Sequence, residues 1–189
     1  MTSGIAFLMK KMVTDAGLMV GRNMKGSWRP IAFFCSQSCP GDLILKAQDW
    51  ANARRAESAP VIGGFHTSVE RDVLRILLRG NALLVQVLAR GLTGARLPAA
   101  LRSAEKEGRA LLISPFDDAA RRTTARTCEH RNRHILTICE SVVFAHASPG
   151  GKTEALALEA KSMGLPIFTL PSPANSNLLD LGAEILPEQ

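Results

Sequence analysis

The chain has 189 residues, of which 46% are hydrophobic and 21% are charged, and its net charge is +6 at neutral pH. This length suits one domain with a buried core, and the hydrophobic share excludes a wholly disordered chain. No apolar run reaches the roughly 18 residues that a membrane-spanning helix needs, so no membrane partner is expected. In the N-terminal segment the lysines follow the short apolar run, which is the reverse of a secretory signal, and we expect a cytoplasmic protein.

Short apolar runs alternate with segments of helical period along most of the chain. Residues 1–27 lack this regularity and are expected to form a peripheral N-terminal extension, which leaves residues 28–189 as the domain. The predicted strands are residues 31–35, 60–63, 83–88, 109–113, 141–145 and 166–170. The predicted helices are residues 42–56, 68–79, 98–107, 123–139, 153–163 and 175–181. This order predicts an α/β fold of Rossmann-like type, with three layers (α/β/α) and a mainly parallel sheet.

Ligands of an open parallel sheet bind beyond the carboxyl ends of the strands, near the point where the strand order reverses. The loops after the predicted strands are rich in small and polar residues, and three of them lead into a helix N-terminus, which favours a phosphate. The candidate phosphate- or nucleotide-binding residues are Ser36, Gln37, Gly63, Gly64, Phe65, His66, Arg90, Gly91, Arg131, Asn132, Arg133, Pro149, Gly150, Gly151, Lys152 and Thr153. We expect five of them to lie around one cavity at one end of the sheet, namely Ser36, Gly63, Gly64, Arg131 and Gly150.

The loop of residues 148–154 is the sharpest phosphate-binding candidate. It follows a predicted strand, contains Gly150 and Gly151, and opens a helix at Thr153. A P-loop of the form G-x-x-x-x-G-K-[ST] is excluded, because His146 stands where the first glycine is required. Two interpretations remain open, a different phosphate-binding nest and a glycine-rich turn that serves only tight packing.

Basic side chains are concentrated in one stretch whose only acid is Glu129. Positive charge of this density favours an anionic partner such as nucleic acid or a phosphorylated small molecule. An anion site and a solvated helix face are both open interpretations. The arginines of this stretch are Arg121, Arg122, Arg126, Arg131 and Arg133.

The four cysteines fit a reducing compartment. Cys35 and Cys39 have C-x3-C spacing, and Cys128 has His130 nearby. No second paired motif completes a zinc site, so we expect neither a metal nor a cofactor.

Two motifs in the second half of the chain carry a family resemblance. Residues 131–135 read Arg-Asn-Arg-His-Ile and lead through a predicted strand to Ser-Pro-Gly-Gly-Lys-Thr-Glu-Ala at residues 148–155. This order resembles the DNA-processing protein A family (DprA, also called Smf), in which R-N-R-x-I leads through a strand to an S-G-S-x-x-T-A loop. The resemblance covers residues 31–170, with Ser36 and the Gly63-Gly64 pair in matching places. Residues 35–37 read Cys-Ser-Gln where the family has G-S-R.

Residues 149–154 also resemble, in part, the P-G-G-x-G-T-x-x-E motif of the LOG-type ("lysine decarboxylase") nucleotide-binding proteins. Together the resemblances imply a DprA-like Rossmann domain that binds a nucleotide or single-stranded DNA, in DNA processing or uptake. Because the sequence ends at Gln189, we expect no winged-helix domain, although many DprA proteins carry one.

Three functional hypotheses follow, and we favour the first. In the first, the chain is a non-enzymatic module that holds single-stranded nucleic acid through its backbone phosphates. Alternatively, it is a small-nucleotide enzyme or sensor of LOG-like type, a nucleoside monophosphate phosphoribohydrolase, with Glu154, Glu70 or His66 as acid or base. The third is a scaffold whose crevice has lost its ligand. Assembly into a homo-oligomer is left open.

Overall fold

The computed structural model describes residues 30–57 and 59–187, so the expected extension of residues 1–27 lies outside the described residues. Within these ranges seven strands form one sheet in which every neighbouring pair is parallel, in the order β4-β3-β2-β1-β5-β6-β7. The strands are β1 Ile31–Cys35, β2 Val61–Gly63, β3 Leu84–Val87, β4 Ala110–Ile113, β5 Ser141–His146, β6 Ile167–Thr169 and β7 Glu184–Ile185. The strand order reverses between β1 and β5, which is therefore the topological switch point of the sheet.

Six α-helices of the described chain connect these strands. They are α1 Gly41–Arg54, α2 Ser68–Leu77, α3 Ala99–Lys106, α4 Ala125–Leu136, α5 Lys152–Ser162 and α6 Ser176–Asp180, with a 3-10 turn at Pro173–Asn175 before α6. The helix predicted over residues 123–139 is shorter at both ends. It begins after Thr124, whose hydroxyl accepts from the Thr127 amide (3.2 Å), while the Thr127 hydroxyl accepts from the Thr124 amide (2.8 Å).

The helices cover both faces of the sheet, so the predicted three-layer α/β fold is confirmed. Helices α1, α2 and α3 pack on one face, and α4, α5 and α6 on the other. Adjacent residues of β1 serve the two cores, because successive side chains of a strand point to opposite faces. Phe33 stacks on Trp50 of α1 with 4.8 Å between ring centroids, and Phe34 stacks on Phe144 of β5 at 5.6 Å.

Strand β7 was not predicted from the sequence. It has only two residues, Glu184 and Ile185, and both are exposed, so it shows no buried apolar run that the pattern could reveal. Among the described residues no helix combines the length and the apolar character that a membrane crossing requires.

The first prediction compares two leucines that lie on helices of the same face. Leu77 of α2 is fully buried, whereas Leu45 of α1 is 62% exposed. We expect Leu77→Ala to lower the free energy of unfolding by about 2–5 kcal/mol, because it leaves a cavity in the core. Leu45→Ala is the matched control and should change it by less than about 0.5 kcal/mol. Equal effects in denaturant titrations would contradict this placement of α2.

Candidate functional site

Ser36 joins the two loops that meet at the switch point. It follows β1 directly, and its amide donates to the His146 carbonyl at the end of β5 (2.9 Å). Its hydroxyl accepts a hydrogen bond from the Ser148 amide (2.9 Å). The loops after β1 and β5 are thereby fixed side by side at the carboxyl edge, and we call the space between them the crevice.

The glycines of the β5–α5 loop are required by the turn that they form. Gly150 has a φ of 67°, in the left-handed region that favours glycine. The Gly151 amide donates to the Ser148 carbonyl (2.9 Å), and a Cβ at Gly151 would lie only 2.8 Å from that oxygen. The tight turn therefore explains both glycines, and binding of a phosphate or nucleotide at Gly150 and Gly151 stays a prediction.

The glycine turn leads into the N-terminus of α5, whose first backbone amides are unpaired and border the crevice. Helix α5 begins at Lys152 and has no side chain that caps its N-terminus. The amides of Lys152, Thr153 and Glu154 have no acceptor within the described part of the chain. Free amides at the positive end of a helix dipole attract an anion, so this end of α5 is suited to a phosphate.

The Glu154 carboxylate braces the glycine turn. It accepts from the Gly150 amide (2.6 Å) and from the side-chain amide of Asn177 on α6. These hydrogen bonds, first from Asn177 and then from Gly150, lower the pKa of Glu154 below its ordinary value. The carboxylate is thus ionised at neutral pH and holds the loop against the segment after β6.

A second carboxylate, Glu70, organises the other side of the crevice. It is buried and accepts three backbone amides, from Cys35 (3.1 Å), His66 (2.7 Å) and Thr67 (3.3 Å). The Thr67 hydroxyl in turn accepts from the Glu70 amide (3.2 Å), so Thr67 and Glu70 form a capping box at the start of α2. The bond to Cys35 joins the end of β1 to the loop after β2.

Arg131 reaches from α4 onto the loop after β2. Its side chain is buried, and it donates to the Val87 carbonyl (3.2 Å) and to the side-chain oxygen of Asn132 (2.7 Å). A Cβ placed on Gly64 would lie 2.0 Å from the guanidinium, so that group occupies the space a side chain at Gly64 would need. Burial lowers the pKa of Arg131, and the attraction of Glu70 opposes that shift.

The other basic candidates near α4 and α5 are directed to the helix surfaces. Arg133 is exposed and pairs with Glu159 (2.8 Å), and Lys152 pairs with Glu129 (2.6 Å). Residues two apart on a helix do not face the same way, which accounts for the different surroundings of Arg131 and Arg133.

The loops after β3 and β4 are joined in the same manner. The Ser114 hydroxyl donates to the Arg90 carbonyl (2.7 Å), and the Gly91 amide donates to the Ala120 carbonyl (2.8 Å). A Cβ on Gly91 would lie 2.5 Å from the Asp117 carbonyl oxygen, so this close approach requires a glycine.

The described structure thus places five of the predicted residues at the carboxyl edge, although their binding of a ligand stays a prediction. These five are Ser36, Gly63, Gly64, Arg131 and Gly150. Gln37, His66 and Pro149 are exposed on the loops of the same edge. Phe65 is different, because its ring is buried in the core and only its backbone, with a φ of 48°, borders the site.

Sequence reasoning missed a buried polar cluster beside the crevice. The Asn175 side-chain nitrogen donates to Ala145, Thr169 and Leu170. Its oxygen therefore faces His146 Nδ1 (2.9 Å), which must be the donor. The sequence did hold a signal for this cluster, because polar residues follow β6 directly, as they follow the other strands whose loops form the site.

Comparison with known proteins shows a shared fold. No family model and no curated protein matches the sequence. DprA from Streptococcus pneumoniae superposes with a TM-score of 0.69 at 17% identity, over 84% of this chain and 58% of that one. DprA from Helicobacter pylori, which binds single-stranded DNA, gives 0.67 at 15% identity, over 83% and 74%. The molybdenum cofactor binding protein of Rippkaea orientalis gives 0.60 at 13% identity, over 85% and 90%.

These likenesses confirm the fold that the sequence motifs implied. The chain has the Rossmann-like architecture found in DprA and in the molybdenum cofactor binding protein, and it spans little more than half of the pneumococcal DprA.

The second prediction concerns the packing of Gly64 against Arg131. Gly64→Ala should lower the free energy of unfolding by about 1–3 kcal/mol, because the new methyl group overlaps a buried guanidinium. Gly41→Ala is the control, since nothing lies within 4 Å of its Cβ position at the start of α1. That variant should be neutral or up to about 1 kcal/mol more stable. Thermal or denaturant unfolding of both variants measures this difference. A free energy of unfolding that is unchanged in Gly64→Ala would contradict the close packing of Gly64 against Arg131.

The third prediction uses the lowered pKa of Glu154. A carboxyl with a lowered folded pKa stabilises the protein above its unfolded pKa, about 4.3 for glutamate, and loses that effect as the pH falls through the folded pKa. Glu154→Gln should therefore be less stable than the parent at pH 7, and the difference should vanish in acid. The control is Glu105→Gln, whose exposed side chain has no partner among the described residues. A difference that is independent of pH would contradict the bracing role.

Proposed function

We propose that this chain is a DprA-like Rossmann domain that binds single-stranded nucleic acid through backbone phosphates at the carboxyl edge. The observation that carries the proposal is the presence of unpaired positive groups along this edge, on the fold shared with DprA. A cytoplasmic role in DNA processing or uptake accords with it, and a free nucleotide would offer a phosphate to the same crevice.

The first support is the N-terminus of α5. The amides of Lys152, Thr153 and Glu154 are free within the described residues, and the loop before them turns through glycines that keep side chains away. A phosphate group supplies the acceptor oxygens that these amides lack. We propose that one phosphate of the nucleic-acid backbone binds here.

The second support is a strip of arginines beside the loops after β3 and β4. Arg121, Arg122 and Arg126 are exposed, and no carboxylate pairs with them within the described residues. The bond from Gly91 to Ala120 ties this segment to the carboxyl edge. The strip extends the positive edge beyond the crevice, as a ligand longer than a mononucleotide requires.

The position of Arg126 at the N-terminus of α4 destabilises the helix when no anion is bound. Arg126 lies in the first turn of α4, a turn without any acidic residue. A positive charge near the positive end of the helix dipole is unfavourable by about 0.3–1 kcal/mol. A bound anion would interact favourably with both Arg126 and the helix N-terminus and so offset this cost. The arrangement therefore favours a phosphate site over a merely solvated helix face.

Recognition should depend little on the bases. Aromatic residues make up 5% of the chain, which contains no tyrosine, and stacking on bases needs exposed rings. Among the described loops after strands, Phe65 is buried, and Phe116 packs against His130 with 5.1 Å between centroids. We therefore expect limited base selectivity and strong dependence of affinity on salt.

The alternative is a small-nucleotide enzyme of LOG-like type, and the exposed His66 at the same edge favours it. Both carboxylate candidates already accept backbone amides, Glu70 three of them and Glu154 one. We therefore propose that they hold the loops and that the chain does not turn over its ligand. Release of ribose 5-phosphate from a nucleoside monophosphate, abolished in Glu154→Gln, would reverse this preference.

The fourth prediction tests the arginine strip. Replacing Arg122 by alanine should weaken binding of an oligodeoxythymidylate, and the magnitude of the slope of log K against log salt should fall by about 0.7, because one phosphate is no longer neutralised. Titrations by fluorescence anisotropy at several salt concentrations measure both quantities. Arg79→Ala is the matched control, because Arg79 is exposed beyond the end of α2, at the opposite edge of the sheet.

The expected result is an unchanged affinity and slope for Arg79→Ala. Equal reductions in the two variants would mean that the arginines act only through net charge. An unchanged affinity in both would assign the strip to a solvated surface.

A further inference from the structure

His146 is a buried histidine whose ring is held in one orientation by a neighbouring amide. It is the last residue of β5, at the carboxyl edge, and only 6% of its surface is exposed. Its Nδ1 lies 2.9 Å from the side-chain oxygen of the fully buried Asn175. The Asn175 side-chain nitrogen donates to the Ala145 carbonyl (2.9 Å), the Thr169 hydroxyl oxygen (2.9 Å) and the Leu170 carbonyl (3.1 Å). Turning this amide over would set its oxygen against those acceptors, so the oxygen faces the histidine and Nδ1 carries the proton.

The second ring nitrogen of His146, Nε2, is an acceptor that lacks a donor. When Nδ1 carries the proton of the neutral ring, Nε2 holds a lone pair. Nε2 has no hydrogen-bond partner in the described chain, and it is not sealed from solvent. The fully buried side-chain atoms that lack a partner in the described chain belong to Trp50, Arg54, Arg109 and Asn177. A partner that fixes one ring nitrogen and leaves the other open is how proteins present a histidine to a ligand.

His146 lies beside the free amides at the start of α5. Its carbonyl accepts from the Ser36 amide (2.9 Å), and the Ser36 hydroxyl accepts from the Ser148 amide (2.9 Å). The Cα atoms of His146 and Ser148 are at most about 8 Å apart, because they are two residues apart in the chain. The Gly151 amide donates to the Ser148 carbonyl (2.9 Å), which brings the first residue of α5, Lys152, back toward the end of β5. We therefore expect a strand whose phosphate binds these amides to bring its adjoining sugar to His146.

The chemistry of the open nitrogen decides which group of the ligand it binds. Nε2 needs a donor, and the ionised phosphates of a nucleic-acid backbone offer acceptor oxygens only. The 2′-hydroxyl of ribose is the donor closest to the backbone phosphate, and deoxyribose lacks it. We propose that His146 is a specificity-determining residue, whose Nε2 accepts a hydrogen bond from the 2′-hydroxyl of a ribonucleotide strand. Asn175 is the positioning residue, because it keeps Nδ1 protonated.

This inference rests on the proposed function, and its experiment compares three fluorescein-labelled strands of the same sequence. These are an oligouridylate, an oligodeoxyuridylate and a 2′-fluoro-oligouridylate, which share their bases and terminal groups. The 2′-fluoro strand keeps a ribose-like sugar pucker but has no donor hydrogen at the 2′ position. Fluorescence anisotropy with the full chain measures the three dissociation constants. One neutral hydrogen bond corresponds to about a 2- to 12-fold change, so the ribonucleotide strand should bind more tightly than either of the others by that factor.

A substitution separates the two ring nitrogens of His146. An asparagine amide nitrogen can take the place of Nδ1 and donate to Asn175, but asparagine has no atom at the place of Nε2. His146→Asn should therefore bind all three strands with the affinity that the parent has for the deoxyribonucleotide strand. His130→Asn is the matched control, because His130 is exposed on α4, and it should keep the preference for ribose. Should His146→Asn fail to fold, the three strands compared on the parent decide.

Equal dissociation constants for the three strands on the parent would overturn this inference and leave the proposed function intact. Tight binding of the 2′-fluoro strand would also overturn it, because sugar pucker and not hydrogen bonding would then cause the preference. A preference for ribose that persists in a folded His146→Asn would assign the contact to another residue. If no strand binds at low salt, the proposed function fails, and this inference fails with it.

Discussion

The Glu70 carboxylate is the point on which the geometry of the crevice depends. It is buried at the start of α2, and its oxygens accept the amides of Cys35, His66 and Thr67, which belong to β1 and to the loop after β2. Leaving a buried amide without an acceptor costs about 1–3 kcal/mol, so three amides on one carboxylate fix these segments strongly. Its negative charge also supports the buried guanidinium of Arg131. That guanidinium occupies the space beside Gly64 and ties α4 to the same loop.

The remaining polar groups at the carboxyl edge divide into two kinds. Ser36 and Glu154 satisfy amides of the β5–α5 loop and thereby hold its shape. The first amides of α5 and the arginines after β4 stay without partners among the described residues. Buried polar groups of a folded protein are usually paired, whereas surface groups without a protein partner are solvated and accessible to an anionic ligand. The proposal of a phosphate-binding edge rests on this contrast. The loops are held by hydrogen bonds within the protein, whereas the first amides of α5 and the exposed arginines of the strip have no partner among the described residues.

Apart from β7, the sequence was sufficient to predict the fold, because the apolar runs and helical periods alternate without interruption and strand-to-helix alternation admits few topologies. It also located the loops of the site, since these must follow the strands. It could not show side-chain direction at positions that depend on distant neighbours. From the sequence, Phe65 is a candidate binding residue of a loop, yet its ring enters the core. Arg131 is either an anion ligand or a solvated charge by its sequence, yet its guanidinium is buried against Gly64.

The same limit applies to pairs that are far apart in the chain. The capping box could be read from Thr67 and Glu70, but the bond from Glu70 to Cys35 spans 35 residues and leaves no local signature. The Asn175–His146 pair, separated by 29 residues, escaped for that reason too. Long-range polar interactions of this kind determine the shape of the crevice. The hydrogen-bond partners in the crevice could therefore be identified only in the folded structure.

The central claim is that nucleic acid binds at the carboxyl edge, and amide hydrogen exchange measured by mass spectrometry tests it most directly. The full chain is compared with and without an oligodeoxythymidylate at low salt. The account predicts slower exchange in peptides that contain residues 148–155 and residues 120–127, and unchanged exchange in residues 77–82 around Arg79, between α2 and β3. Protection confined to the opposite edge of the sheet, or binding without any protection of residues 148–155, would contradict it.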